Sequence, residues 1–269
     1  MMLLHPLTDT PVTGFSVHPS TVVGILGLAG LYLWRVRRER RSPTATQQAA
    51  FGAALVSLFL ALNGPLHDLS DYFLFSAHMV QHLVLTFLVP LLLLIGTPGW
   101  MLRPALRVPA INTAARWLTR PTTCFVLFNV TIAAWHLPPL YNLAMANHDV
   151  HIVEHLMFMT TAVLMWWPLL SPLPELPRLA YPGQMLYCFL MSIPMSVVAI
   201  YVAMADHVLY PAYAAAPRIW GISPLDDQMI GGLIMWIPGG LFFYGVMTVI
   251  FFKWAARDAD TVASAQVPA

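Results

Sequence analysis

The sequence predicts an all-α protein: a single domain over 1–269 built as a bundle of seven transmembrane helices, N-terminus outside and C-terminus cytoplasmic. Three observations predict it. Of the 269 residues, 58% are hydrophobic and only 9% charged, with a mean hydropathy of +0.69. Soluble domains carry roughly 25% charged residues, so lipid has to solvate much of this surface. Apolar stretches recur at 19–36, 49–66, 72–96, 119–136, 150–170, 184–206 and 229–253. Each is near the ~20 residues that cross ~30 Å of hydrocarbon as helix, although the first is short. The third observation is where the cations fall.

The first span is followed, not preceded, by basic residues: "RVRRERR" holds five of the 13 Lys and Arg. That polarity is wrong for a cleaved signal peptide and right for an anchor with its N-terminus outside. Asn63-Gly64-Pro65 is the turn between the second and third spans. The 97–120 linker then carries Arg103, Arg107, Arg116 and Arg120. Leu137-Pro138-Pro139 breaks the chain after the fourth span and Ser171-Pro172-Leu173-Pro174 after the fifth. With alternating spans, Arg178, Lys253 and Arg257 join the same side, and only Arg218 falls opposite. The positive-inside rule therefore fixes the orientation. No basic face exists outside short loops, which excludes a nucleic-acid partner. Cys124 and Cys188 form neither a disulfide framework nor a CxxC metal motif; near the inner ends of their helices, they are packing residues.

The ten histidines fall on the opposite side from the arginines. His67 closes the second span, and His78 and His82 open the third. His136 closes the fourth, while His148, His151 and His155 open the fifth. His207 closes the sixth, and His5 and His18 lie in the outer tail. The motif His-x-Val-Gln/Glu-His occurs at 78–82 and again at 151–155, each time after a helix that ends in His. Asp206-His207 and Asp226-Asp227-Gln228 keep the outline in the last pair of spans without a paired His. The pattern suggests duplicated hairpins.

Residues i and i+4 share one helical face with Cβ atoms about 5–6 Å apart. Two imidazoles so placed can converge on one metal ion through bonds of about 2 Å. The expected ligands are His78, His82, His151 and His155, from a site between the third and fifth spans near the outer leaflet. Glu154, His136, Asp206 and Asp227 are second-tier ligands or hydrogen-bonding supports, with Gln81 beside His82 as another support. Asp227 precedes Gly231-Gly232, where small residues allow close helix contact, so it should face inward. His67 is a weaker candidate at an exposed turn, and His5, His18 and His148 read as loop residues. Imidazole alone suits zinc, copper, iron or nickel. Met79, Met145, Met204 and Met229 lie toward the outer ends, where thioether would favour Cu(I), although Met is an ordinary packing residue in membrane helices.

Two other readings use the same residues. His151-x-x-Glu154-His155 matches the inverted zincin motif, in which Glu activates a zinc-bound water, so an intramembrane zinc hydrolase is the runner-up. A b-type haem electron-transfer protein is the other, although bis-His haem takes one ligand from each of two helices. No phosphate loop and no Ser nucleophile with its own base are present in the sequence.

Five ordered segments then carry a resemblance. "FSAHMVQHLVL", "WHLPPLYNLAM…HIVEHLMFM", "WWPLLSP", "ADHVLYPAY" and "WGISPLDDQMIGGLIMWIPGG" resemble the signature segments of the CtaG-type cytochrome c oxidase assembly factors, over about 60–254. The resemblance implies a multi-pass protein of the bacterial plasma membrane, with no turnover of its own, that helps mature haem–copper oxidases by handling copper, as Cu+ or Cu2+, for subunit I. The positions matching the family's motifs are His78, His82, His136, His151, Glu154, His155, Asp206 and Asp227. The implied partners are membrane lipid and oxidase subunit I or other assembly factors. A periplasmic or extracellular copper chaperone and a second copy of the chain are further candidates.

Overall fold

The computed structural model describes residues 15–265, so His5 lies outside the described residues; among these, every regular element is helical. α1 (Pro19–Glu39) begins on a proline, whose fixed φ suits a first turn. α2 (Ala45–Leu62) begins at a capping box in which Thr44 and Gln47 satisfy each other's backbone N–H groups. The Asn63-Gly64-Pro65 break stands where the sequence places it, with Gly64 at φ +70°. Its proline, however, opens a short helix, α3 (Pro65–Tyr72), rather than a bare turn. His67 is buried on that helix, not exposed at a turn.

α4 (Phe75–Leu83) continues through a π-helical turn at Val84–Leu88 into α5 (Val89–Gly96), one apolar rod from Phe75 to Gly96. Pro90 accounts for the turn, because it has no N–H and its ring crowds the carbonyl four residues back, that of Thr86. Trp166 supplies the missing donor, its indole N–H reaching Thr86 O at 3.0 Å. Trp166→Phe leaves that buried carbonyl without its donor and should cost about 1–3 kcal/mol. The check is a lower melting temperature in detergent with helix content unchanged; an unaltered melt would mean the π turn does not depend on this bond.

α6 (Gly99–Leu102), a 3-10 turn at Arg103–Arg107 and α7 (Pro109–Leu118) fill the arginine-bearing connection. α8 (Pro121–His136) meets α9 (Pro138–Ala146) at a 73° bend, at the expected Leu137-Pro138-Pro139 break. α10 (His148–Leu170) is capped by Asn147, whose side chain accepts from the N–H groups of Asp149 and Val150. α11 (Tyr181–Ala203), α12 (Pro211–Ala215) and α13 (Pro224–Ala265) complete the described residues. Among the described residues, six helices are long and apolar enough to cross a membrane, or seven if the bent α8–α9 pair is one span.

In lipid there is little hydrophobic drive between helices, so association rests on close packing. Gly231 and Gly232 provide it, as their spacing predicts. A Cβ on Gly232 would stand 2.7 Å from that of Ala203 on α11, and one on Gly231 would stand 2.4 Å from the Phe75 ring on α4. α13 thereby touches both helices at the same level. The layer beneath is aromatic, Phe87 stacking on Phe242 at 5.0 Å with Phe243 and Trp166 around them. α1 is different: only 6% of its apolar window is buried. Between it and α2, α5 and α10 lies a cavity of about 400 Å³.

Candidate metal centre

The two His-x-Val-x-His motifs meet. α4 presents His78 and His82 with ring centroids 4.1 Å apart, and α10 presents His151 and His155 at 4.4 Å. Across the helix pair, His78 stands 5.8 Å from His151 and 6.4 Å from His155, and His82 stands 5.6 Å from His155. His136, at the end of α8, lies 6.2 Å from His82. All five rings and Glu154 are buried. The i, i+4 spacing therefore does what helix geometry allows, turning both pairs toward a common centre.

Burial makes the unmet hydrogen-bonding capacity informative. Both ring nitrogens of His78 and His82 have no hydrogen-bond partner among the described residues. The same holds for Nε2 of His136, His151 and His155 and for Glu154 Oε1. A buried polar atom left unpaired costs about 1–3 kcal/mol, so so many in one place amount to a large unspent donor set. Two groups of three could each hold an ion: Asp71, His78 and His151, and His78, His82 and Glu154. Within each group the ligand atoms lie within 4.8 Å of one another. Imidazole with one carboxylate suits a first-row transition ion.

A shell of polar contacts holds the centre in place. Gln81 donates to Ala61 O at 2.7 Å and meets His67 Nδ1 at 3.0 Å, while Ser70 Oγ lies 3.2 Å from Gln81 Oε1. Asp71 Oδ2 stands 3.4 Å from His67 Nε2 and 3.9 Å from His151 Nδ1. Burial pushes the Asp71 carboxyl up, but His67, His151, His78 and the Ser70 hydroxyl outweigh it and hold it below the ordinary carboxylate value. Asp71 is thus a charged oxygen donor at neutral pH. Tyr141, carried on α9 by the bend, lies 5.4 Å from His78 and donates to Tyr213, which donates to Ser70 O at 2.7 Å.

With this geometry in place, the comparison with known families is decisive. A family model described as cytochrome c oxidase caa3 assembly factor (Caa3_CtaG) matches residues 30–257. The chain belongs to that family. The match reaches further toward the N-terminus than the five segments do, into α1. Among curated relatives of this caa3 assembly-factor family member are uncharacterized proteins of Mycobacterium bovis and Mycobacterium tuberculosis. Each is 28% identical over 205 residues, covering 69% of this chain and 30% of the relative. An uncharacterized protein of Mycobacterium leprae is 24% identical over 254 residues, covering 88% of this chain and 38% of that protein. The chain thus spans about a third of the length of these relatives. No solved structure matches it.

Not every residue expected at the centre of this family member reaches it. His78, His82, His151, His155, Glu154 and His136 are brought together; Asp206 and Asp227 are not. Asp206 is exposed and pairs with His207 at 2.7 Å, a hydrogen bond that lowers its carboxyl pKa. It sits past the end of α11, where nothing folds it back. Asp227 faces inward as expected, but its carboxylate accepts the backbone N–H groups of Phe75 at 2.7 Å and Ser76 at 3.1 Å and the Ser76 hydroxyl. It caps α4 from another helix. Asp226, by contrast, caps its own helix with Ser223. Met204 and Met229 are exposed, and Met79 is buried against Gly231. Cys124 and Cys188 are free and buried, in neither group.

Asp71 is what the sequence reading passed over as a ligand. Its signal was present: it stands four residues after His67, an i, i+4 pair like the other two.

Proposed function

We propose that this chain is a seven-span assembly factor of the bacterial plasma membrane, N-terminus outside, that binds copper at the buried histidine centre and hands it to haem–copper oxidase subunit I. The observation that carries the reading is the concentration of buried, unpartnered imidazole nitrogens on two facing helices. Family membership supplies the process. Copper is cargo here, and these residues' work is to strip its water, hold it and release it. Imidazole binds both Cu+ and Cu2+, and the low-polarity surroundings favour a nitrogen-rich set over hydrated ions. The positive-inside rule, with α8–α9 counted as one span, supports a centre near the outer leaflet, where copper from a periplasmic or extracellular carrier would arrive first. α8 alone, at 16 residues, is about 24 Å long and short of a full crossing.

The zinc-hydrolase reading makes a different demand of Glu154. As a general base it would stand off the metal and act on bound water. Here a carboxylate oxygen lies within 4.8 Å of ring nitrogens of His78 and His82, close enough for all three to meet one ion. Glu154→Gln should therefore lower copper occupancy and oxidase maturation together, read by elemental analysis of the purified variant and oxidase activity of its membranes. Full metal occupancy with function lost would instead support a hydrolytic role.

A further inference from the structure

The two candidate ligand groups share His78, and they differ in how they face the cavity beside α1. That cavity is lined by Asp71 and His151, together with His67 and His155, but not by His78, His82 or Glu154. One group therefore touches the cavity through two of its three members, and the other lies wholly behind it. We propose that these are two successive stations for one copper ion. Asp71, His78 and His151 form a loading station at the cavity wall, and His78, His82 and Glu154 form the holding station behind it. The proposal rests on the copper reading above and adds a site and a direction to it.

The chemistry favours that order. Asp71 brings a carboxylate oxygen to the cavity wall, where an arriving cation meets it before the groups behind. His67 Nε2 at 3.4 Å and the Ser70 hydroxyl at 3.1 Å hold this carboxylate in place. The holding station draws on His82, both of whose nitrogens are buried and unpaired. Movement between stations is ligand exchange with no change of oxidation state. The bonds to Asp71 and His151 break, bonds to His82 and Glu154 form, and His78 stays coordinated throughout. A common ligand lets the ion move without ever being bare in a low-dielectric interior, where a free charge is costly. The rest of the cavity wall is apolar at Leu58, Leu62 and Met159 and polar at His18, His148 and Thr160, none of them in either three-ligand group.

The test uses full-length protein in detergent, chelator-buffered Cu(I) as the probe, and the variants Asp71→Asn, His82→Ala and both together. Copper per chain, loading rate and X-ray absorption at the copper edge are the readouts. His82→Ala should keep copper bound, at the loading station, and adding Asp71→Asn should then remove it. Asp71→Asn should reach wild-type copper content but load roughly 10–100-fold more slowly, and Asp71→Glu should recover most of the rate. The double variant should bind none. Size-exclusion profiles matching wild type establish that each variant is folded. The relay is overturned if His82→Ala loses all copper while wild type keeps it, or if Asp71→Asn loads at the wild-type rate. Wild-type protein that binds no copper would overturn the copper reading itself.

Discussion

His78→Ala should abolish bound copper and reduce oxidase maturation to that of cells lacking the protein, while the helices remain inserted. His78 is the one residue common to both three-ligand groups, its ring lies within 6.4 Å of His82, His151 and His155, and both its nitrogens are unpartnered. Loss of a hydrogen-bonding support typically costs a metal site roughly 10–100-fold in affinity, and loss of a shared ligand should cost more. The fold should survive, because alanine is a better helix former than histidine and removes buried polar atoms that have no partner. Copper content of the purified variant and oxidase activity of membranes check this together. Oxidase activity at the wild-type level would make the site incidental to the process.

Asp227→Ala should act by a different route, on stability first. The Asp227 carboxylate satisfies two backbone N–H groups and a hydroxyl at the start of α4, and it is fully buried in doing so. Those N–H groups have no partner inside their own helix, and a charged acceptor at a helix N-terminus also meets the positive end of its dipole. Removing the carboxylate should cost roughly 3 kcal/mol, the scale of a cap loss compounded by a buried charge-assisted bond. His78 sits three residues after Phe75, so a loosened first turn displaces the ligand and copper falls with the melting temperature. Asp227→Asn keeps an acceptor and should retain more of both. Copper lost at an unchanged melting temperature would mark Asp227 as a ligand, not a cap.

That contrast shows what the sequence could and could not disclose. The helical period of about 3.6 residues makes His78 and His82, or His151 and His155, neighbours whatever the tertiary fold. Composition and charge asymmetry announced apolar helices, and proline placed their breaks at Asn63-Gly64-Pro65 and Leu137-Pro138-Pro139. The facing of α4 and α10 was legible only because the motif repeats. Asp227 was correctly expected to point inward, but the sequence has no record of which backbone it would meet, and the partner is more than 150 residues away. Asp71 was missed, and His67 was ranked low at an exposed turn, because Pro65 reads as part of a turn when it in fact starts a helix that carries both to the edge of the centre. A turn and a first helical turn look alike at a Gly-Pro step.

The most direct test of the copper assignment is elemental analysis with an optical spectrum on detergent-purified wild-type protein beside the His78→Ala/His155→Ala double variant. About one copper per chain in wild type and none in the variant is the expected result, with four convergent imidazoles from two helices as its cause. Zinc in copper's place, a haem Soret band, or no metal in the wild-type protein would contradict it.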